Sequence, residues 1–248
     1  MKECCKLCGK FAELRNSHVL PEFLYLPVYD DLHRAVKISS DIEENPQFIQ
    51  KGFREPLLCQ KCETQFSRYE GYAKGVVESI TTALVDPKHL FKTVTNVDYH
   101  KFKLFQMSIL WRACVAKNLA YNAVKLGEKH ETNLRSMLIS ENPGYPYEFG
   151  CIMIIVEDAN NLKRIIWSTD KIKMEGHNCY RFQTGDLFWY FVVSSHSKKH
   201  PMQGGFIAHD GLLRIFIAPW SEKEILGRIG VLLRNKEKKK ITKHSSIN

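Results

Sequence analysis

Eight cysteines stand at positions 4, 5, 8, 59, 62, 114, 151 and 179 of a 248-residue chain. Four of them form two CxxC pairs, Cys5-Lys-Leu-Cys8 and Cys59-Gln-Lys-Cys62. Two such pairs, gathered by folding, supply four thiolates to a tetrahedral Zn²⁺ at about 2.3 Å. Gly9, just past the first pair, permits the positive φ of a tight turn, and the polar run after the second pair can open a helix. A redox CxxC would need an α/β unit around it, which the pattern lacks. A disulfide framework suits a short secreted chain, whereas this one is long and starts without an apolar leader. Structural zinc on Cys5, Cys8, Cys59 and Cys62 is therefore the expected chemistry, with Cys4 an alternative to Cys5 as the first ligand. Cys114, Cys151 and Cys179 lie in apolar runs and read as small buried residues.

Between the pairs, Leu14-Arg15-Asn16-Ser17-His18-Val19-Leu20-Pro21 offers an imidazole that can take a proton near neutral pH. A CxxC knuckle, a His-aliphatic-aliphatic-Pro segment, and Leu57-Leu58-Cys59-x-x-Cys62 opening a helix together resemble the HNH (ββα-metal) endonucleases. The resemblance is to the branch whose four-cysteine zinc site staples a treble-clef-like finger, and it stops near residue 70. It implies His18 as general base on the water attacking a phosphodiester, beside one divalent ion that stabilises the leaving group. Three positions depart from the family pattern. Ser17 stands where a carboxylate or His is usual, Glu63 where His or Asn follows the last cysteine, and Arg54 in place of an Asn. Glu63 can offer an oxygen to a catalytic Mg²⁺ or Mn²⁺, and Glu70 follows on the same helical face. Asp30, Asp31, Asp41, Glu43 and Glu44 sit with His33 in the long loop from Pro27 to Phe53, where the carboxylates can add oxygens or simply be solvated. Two functions follow: a nuclease cutting DNA or RNA, for which the family implies defence against foreign DNA, or a catalytically inactive zinc finger binding nucleic acid or a protein partner.

These residues must be held by elements that the pattern also outlines. Val76, Val77, Ile80 and Leu84 recur at helical spacing within Arg68–Val85, closed by Asp86-Pro87. Tyr99 to Leu126 has no Pro or Gly, stops at Gly127, and is apolar on most faces, which predicts a central buried helix containing Arg112. A further helix is expected over 128–140, and Asn142-Pro-Gly-Tyr-Pro146 reads as a loop. Beyond Phe149 the period changes to that of strands, expected at 151–156, 163–167, 178–182, 187–193 and 212–217. Ser221, with Glu224 three residues on, reads as the capping box of a closing helix running to about Leu233. The expected class is α+β: a zinc finger (1–75), a helical middle (76–148), a mostly antiparallel sheet with its closing helix (149–233), and a basic tail (234–248).

Composition narrows the rest. With 44% hydrophobic and 25% charged residues, disordered, collagen-like and coiled-coil classes are excluded. No stretch approaches the roughly 20 apolar residues of a membrane span, and a cytoplasmic location is expected. Thirty-six Lys and Arg against 27 Asp and Glu give +9. More than half of that excess sits in the tail, which can draw in phosphates or fray into solvent. His196, His200 and His209 lie in loops at a spacing that fits no metal template. No P-loop, GxGxxG or internal repeat is present.

Overall fold

The computed structural model describes residues 2–38, 45–157, 165–174, 176–194, 200 and 202–219. In chain order the strands and α-helices are β1 (Glu3–Cys4), β2 (Phe11–Ala12), β3 (Leu14–His18), β4 (Ala35–Ile38), β5 (Gln47–Ile49), β6 (Arg54–Cys59), α1 (Gln60–Ser79), β7 (Leu84–Val85), β8 (Phe91–Val94), α2 (Tyr99–Val115), α3 (Glu128–Ile139), β9 (Cys151–Glu157), β10 (Ile165–Met174), β11 (His177–Thr184), β12 (Leu187–Val192) and β13 (Leu213–Pro219). Nine strands form one sheet in the order β5-β4-β10-β11-β12-β9-β13-β8-β7, antiparallel except at β4/β10 and β9/β13. The class is α+β with a mostly antiparallel sheet, as the alternating runs after Phe149 indicate. Strands from residues 35–49 and 84–94 add to both edges of that sheet, so it draws on all three segments outlined above. The expected closing helix (221–233), the tail, Asp41, Glu43, Glu44 and His196 lie outside the described residues.

α2 is the centre of the molecule. Every residue from Phe102 to Ala113 is buried, polar ones included, because the helix is covered on all sides. Phe105 meets Trp189 of the sheet at 6.1 Å between ring centroids. On its other flank, Trp111 meets Phe66 of α1 edge-on at 6.1 Å. Burying a side chain of this size stabilises by about 1.5–3 kcal/mol, so this helix ties α1 to the sheet. Its N-terminus is capped by Asp98, whose carboxylate accepts from the Lys101 amide at 3.0 Å.

Three expectations need correction. α2 ends at Val115 rather than near Leu126: the Glu55 carboxylate accepts from the amides of Lys117 (2.9 Å) and Asn118 (2.6 Å), and Asn118 then caps a 3₁₀ turn at Leu119–Tyr121. A tertiary partner thus takes the amides that a continuing helix would use. The helix opened at the second cysteine pair and the helical pattern from Arg68 are one element, α1, which stops at Ser79 rather than near Val85, after which the Ser79, Thr81 and Thr82 hydroxyls bond carbonyls three residues back. Leu84, read as a helical position, belongs to strand β7 and is exposed. The supposed loop 27–53 supplies β4 and β5, with Ala35 buried. Within it Asp30 is an intrachain anchor, accepting from the Arg34 amide (2.8 Å) and guanidinium (2.9 Å).

Candidate functional site

β3 and β6 form a separate two-stranded ribbon whose register pairs Leu14 with Cys59 at one end and His18 with Arg54 at the other. The zinc-type thiols therefore lie at one end of the ribbon and the imidazole at the other. A bulge separates Arg15 from Asn16 opposite Leu57. The Leu57 carbonyl, displaced from the ladder, accepts from the Lys6 amide at 2.9 Å and fastens the first cysteine loop to β6.

The Sγ atoms of Cys5, Cys8, Cys59 and Cys62 all lie within 4.8 Å of one another, a group that can hold a metal ion such as zinc. Cys5 and Cys8 come from the knuckle closed by Gly9 at φ 75°, whose amide bonds the Cys5 carbonyl at 2.9 Å. Cys59 precedes the first turn of α1, and Cys62 lies within that turn. The donor set fits thiolates. The Cys59 amide donates to Cys5 Sγ at 3.3 Å, and Cys8 Sγ stands 3.8 Å from Cys59 Sγ. Burial pushes Cys62 up, and contact with Cys59 adds to it. At Cys59 burial also opposes ionisation, but the Cys62 amide and the neighbouring thiols outweigh it and bring the thiol to about 7. Such protons leave when a metal binds. Cys4 is exposed, with its thiol 3.4 Å from the Gly9 carbonyl, so Cys5 is the thiol that folding gathers. Cys151 and Cys179 are buried, as their apolar surroundings indicate, while Cys114 is only half-buried.

Ser17 and His18 leave β3 on opposite faces. Ser17 is fully buried and donates to Glu63 Oε2 at 2.5 Å, in the first turn of α1. His18 meets two other partners: its Nε2 is 2.7 Å from Glu22 Oε2 and 2.7 Å from Arg54 Nε. The two expected catalytic residues, His18 and Glu63, are thus engaged with different neighbours. A ring nitrogen has one in-plane site, so Nε2–H donates to Glu22, or the Nε2 lone pair accepts from Arg54, one at a time. Burial and the Arg54 charge hold His18 below its ordinary 6.5. For Glu22 burial opposes ionisation, yet hydrogen bonds from Tyr29 (3.0 Å) and His18 prevail and keep the carboxyl ionised. The cluster is about one-third open to solvent at Glu22 and Arg54, so a ligand can reach it.

Behind the ribbon, Arg112 of α2 fixes the strand end. Its Nη1 donates to the His18 carbonyl at 2.8 Å and to Glu70 Oε1 at 2.6 Å. Glu70 therefore serves as a partner for a buried cation. Glu22 and Arg112 are the contributors that motif reading does not supply. The available signal for Glu22 was its place four residues after His18, following Pro21, which starts a 3₁₀ turn at Glu22–Leu24. Among the loop histidines, His200 is buried, with its ring 4.9 Å from that of His177, and His209 lies 4.3 Å from the Tyr99 ring. Among the described residues the four cysteines are the only group of three or more metal-type ligands. No helix among them is long and apolar enough to cross a membrane. No protein-family model, curated protein or solved structure matches the chain.

Proposed function

We propose that this chain is a zinc-stapled, HNH-like, metal-dependent endonuclease acting on nucleic-acid phosphodiesters, with the first cysteine loop, β3, β6 and the start of α1 arranged as a treble-clef-like finger. The observation that carries the reading is His18 at the far end of a ribbon whose near end gathers four thiols, with an ionised carboxylate and a guanidinium on its ring. In this reading the neutral imidazole takes the proton of an attacking water. Once Nε2 carries that proton, its N–H donates to Glu22, which stabilises the imidazolium. Arg54 turns from Nε2 towards an arriving phosphate oxygen, which frees the lone pair and sets a cation where negative charge develops. A divalent Mg²⁺ or Mn²⁺, when bound, neutralises charge on the phosphate and leaving oxygens. Glu63 would offer that ion an oxygen only on the other face of β3 from His18, where the Ser17 hydroxyl holds its carboxylate. Defence against foreign DNA is the proposed setting, and the cell interior the proposed location.

The test is nicking of supercoiled plasmid with Mg²⁺ or Mn²⁺, comparing the parent protein with His18→Ala at matched zinc content. Cleavage that disappears in the variant supports the nuclease, and cleavage that survives it defeats the assignment of His18. A second reading, a non-catalytic zinc finger docking on nucleic acid or a protein partner, is favoured by one observation: Glu63 is already engaged by Ser17, with no second metal-ligand group among the described residues. That reading expects zinc and a stable fold with no cleavage under any divalent ion.

A further inference from the structure

Several described basic side chains are matched by acids: Arg34 by Asp30, Arg68 by Glu141, Lys101 by Asp98, Arg181 by Asp170. Lys125, Lys171 and Lys173 are not, since among the described residues no carboxylate lies within ion-pair distance of any of them. All three line one cleft of about 420 Å³, together with His130, Asn178 and Tyr180. Lys171 and Lys173 leave the same face of β10, on either side of Ile172, about 6.7 Å apart along the strand. Lys125 lines it from the segment before α3, and His130 from the first turn of that helix. Tyr180, buried, also lines the cleft; its hydroxyl donates to the Lys125 carbonyl, and its ring centre lies 6.0 Å from Lys171 Nζ. No acidic residue among those described lines the cleft.

Three ammonium groups around one concavity repel one another and raise the local concentration of anions. Lysine is a point-charge partner for phosphate, and two lysines repeated along a strand suit successive phosphates better than a single carboxylate. We propose that this cleft binds phosphate groups, either along a single-stranded nucleic acid or on a free nucleotide. The strand source rests on the nuclease reading above; the phosphate chemistry does not.

The experiment uses the full zinc-loaded chain without added Mg²⁺ or Mn²⁺. A fluorescently labelled single-stranded DNA 12-mer is followed by anisotropy across a salt series, with ATP and inorganic phosphate as competitors. The Lys171→Gln/Lys173→Gln variant should weaken binding at least tenfold. It should also flatten the dependence of log K on log salt by about 1.4, from two phosphate contacts at about 0.7 each on single strands. Lys125→Gln, outside β10, should flatten it by about 0.7, and it keeps the question answerable if the double variant fails to fold. Displacement of the 12-mer by ATP or phosphate identifies the free-nucleotide source, and resistance to them identifies the strand. Unchanged affinity and slope in both variants, or no binding of either probe to the parent, overturns the proposal. A parent whose binding depends on these lysines but that never nicks plasmid once Mg²⁺ or Mn²⁺ is supplied sinks the nuclease reading and leaves the cleft standing.

Discussion

Replacing Arg112 by Met should cost the fold about 3 kcal/mol. The guanidinium is 1% exposed and donates to the His18 carbonyl at 2.8 Å, Glu70 at 2.6 Å and the Ser108 carbonyl at 3.3 Å. It also lies 5.4 Å from the centre of the Phe66 ring. Methionine keeps most of the aliphatic volume, so loss of packing is small. What disappears is two charge-assisted bonds of about 1.5–3 kcal/mol each, and the His18 carbonyl is left without its donor. The Glu70 side chain is 23% exposed and partly rehydrates, which places the expected loss at the low end of the 3–5 kcal/mol typical of a broken buried pair. Arg112→Met/Glu70→Gln, which removes the stranded charge, should recover about 1 kcal/mol of that loss. Urea unfolding of zinc-saturated protein at pH 7, followed by tryptophan fluorescence, reads both variants. In thermal scans the single variant should melt about 6–12 °C lower. A single variant within 1 kcal/mol of the parent would refute the claim that α2 fixes the end of β3. So would a double variant less stable than the single one.

Other outcomes follow from the same geometry. Metal analysis should return one zinc per chain; Cys62→Ser should lose it and unfold at lower urea, while Cys4→Ser should keep it, and zinc retained in Cys62→Ser would contradict the site. Because His18 titrates below 6.5 in the fold, the unfolded chain takes up that proton first as pH falls. Stability should therefore decline from about pH 6.5 down to the folded-state value, and His18→Ala should flatten that decline; a steeper decline in the variant would reverse the sign of the argument. Arg54→Gln should raise the His18 pKa, observed in the NMR titration of its ring protons, and an unmoved titration would remove Arg54 as a cause. Gly52→Ala should destabilise by about 1–3 kcal/mol, because the added methyl would sit 2.5 Å from the buried Tyr25 ring and 3.2 Å from the His18 ring; an unchanged urea midpoint would show that Tyr25 yields freely.

The four cysteines, the beginning of the helix at the second pair, and the strand-rich half were legible because each leaves a local mark. CxxC fixes two ligands on one loop, and alternation of β-branched and aromatic residues marks strands such as β9 and β12. The end of α2 was not legible. Nothing between Ala116 and Leu126 breaks a helix locally, and the break comes from Glu55, more than sixty residues away, taking two amides. β4 and β5 were missed for a related reason: short strands in a polar segment become strands through partners, here β10.

The same division runs through the candidate site. Residue types and spacing alone named the thiols and a proton-accepting imidazole, since those chemistries belong to the side chains wherever the chain carries them. Tertiary structure decided which groups meet. Opposite faces of β3 give Ser17 to Glu63 and His18 to Glu22 and Arg54, and a buried arginine on a distant helix holds the strand end. Pairings of that kind depend on register and on packing between remote segments, and neither is written in any local stretch of sequence.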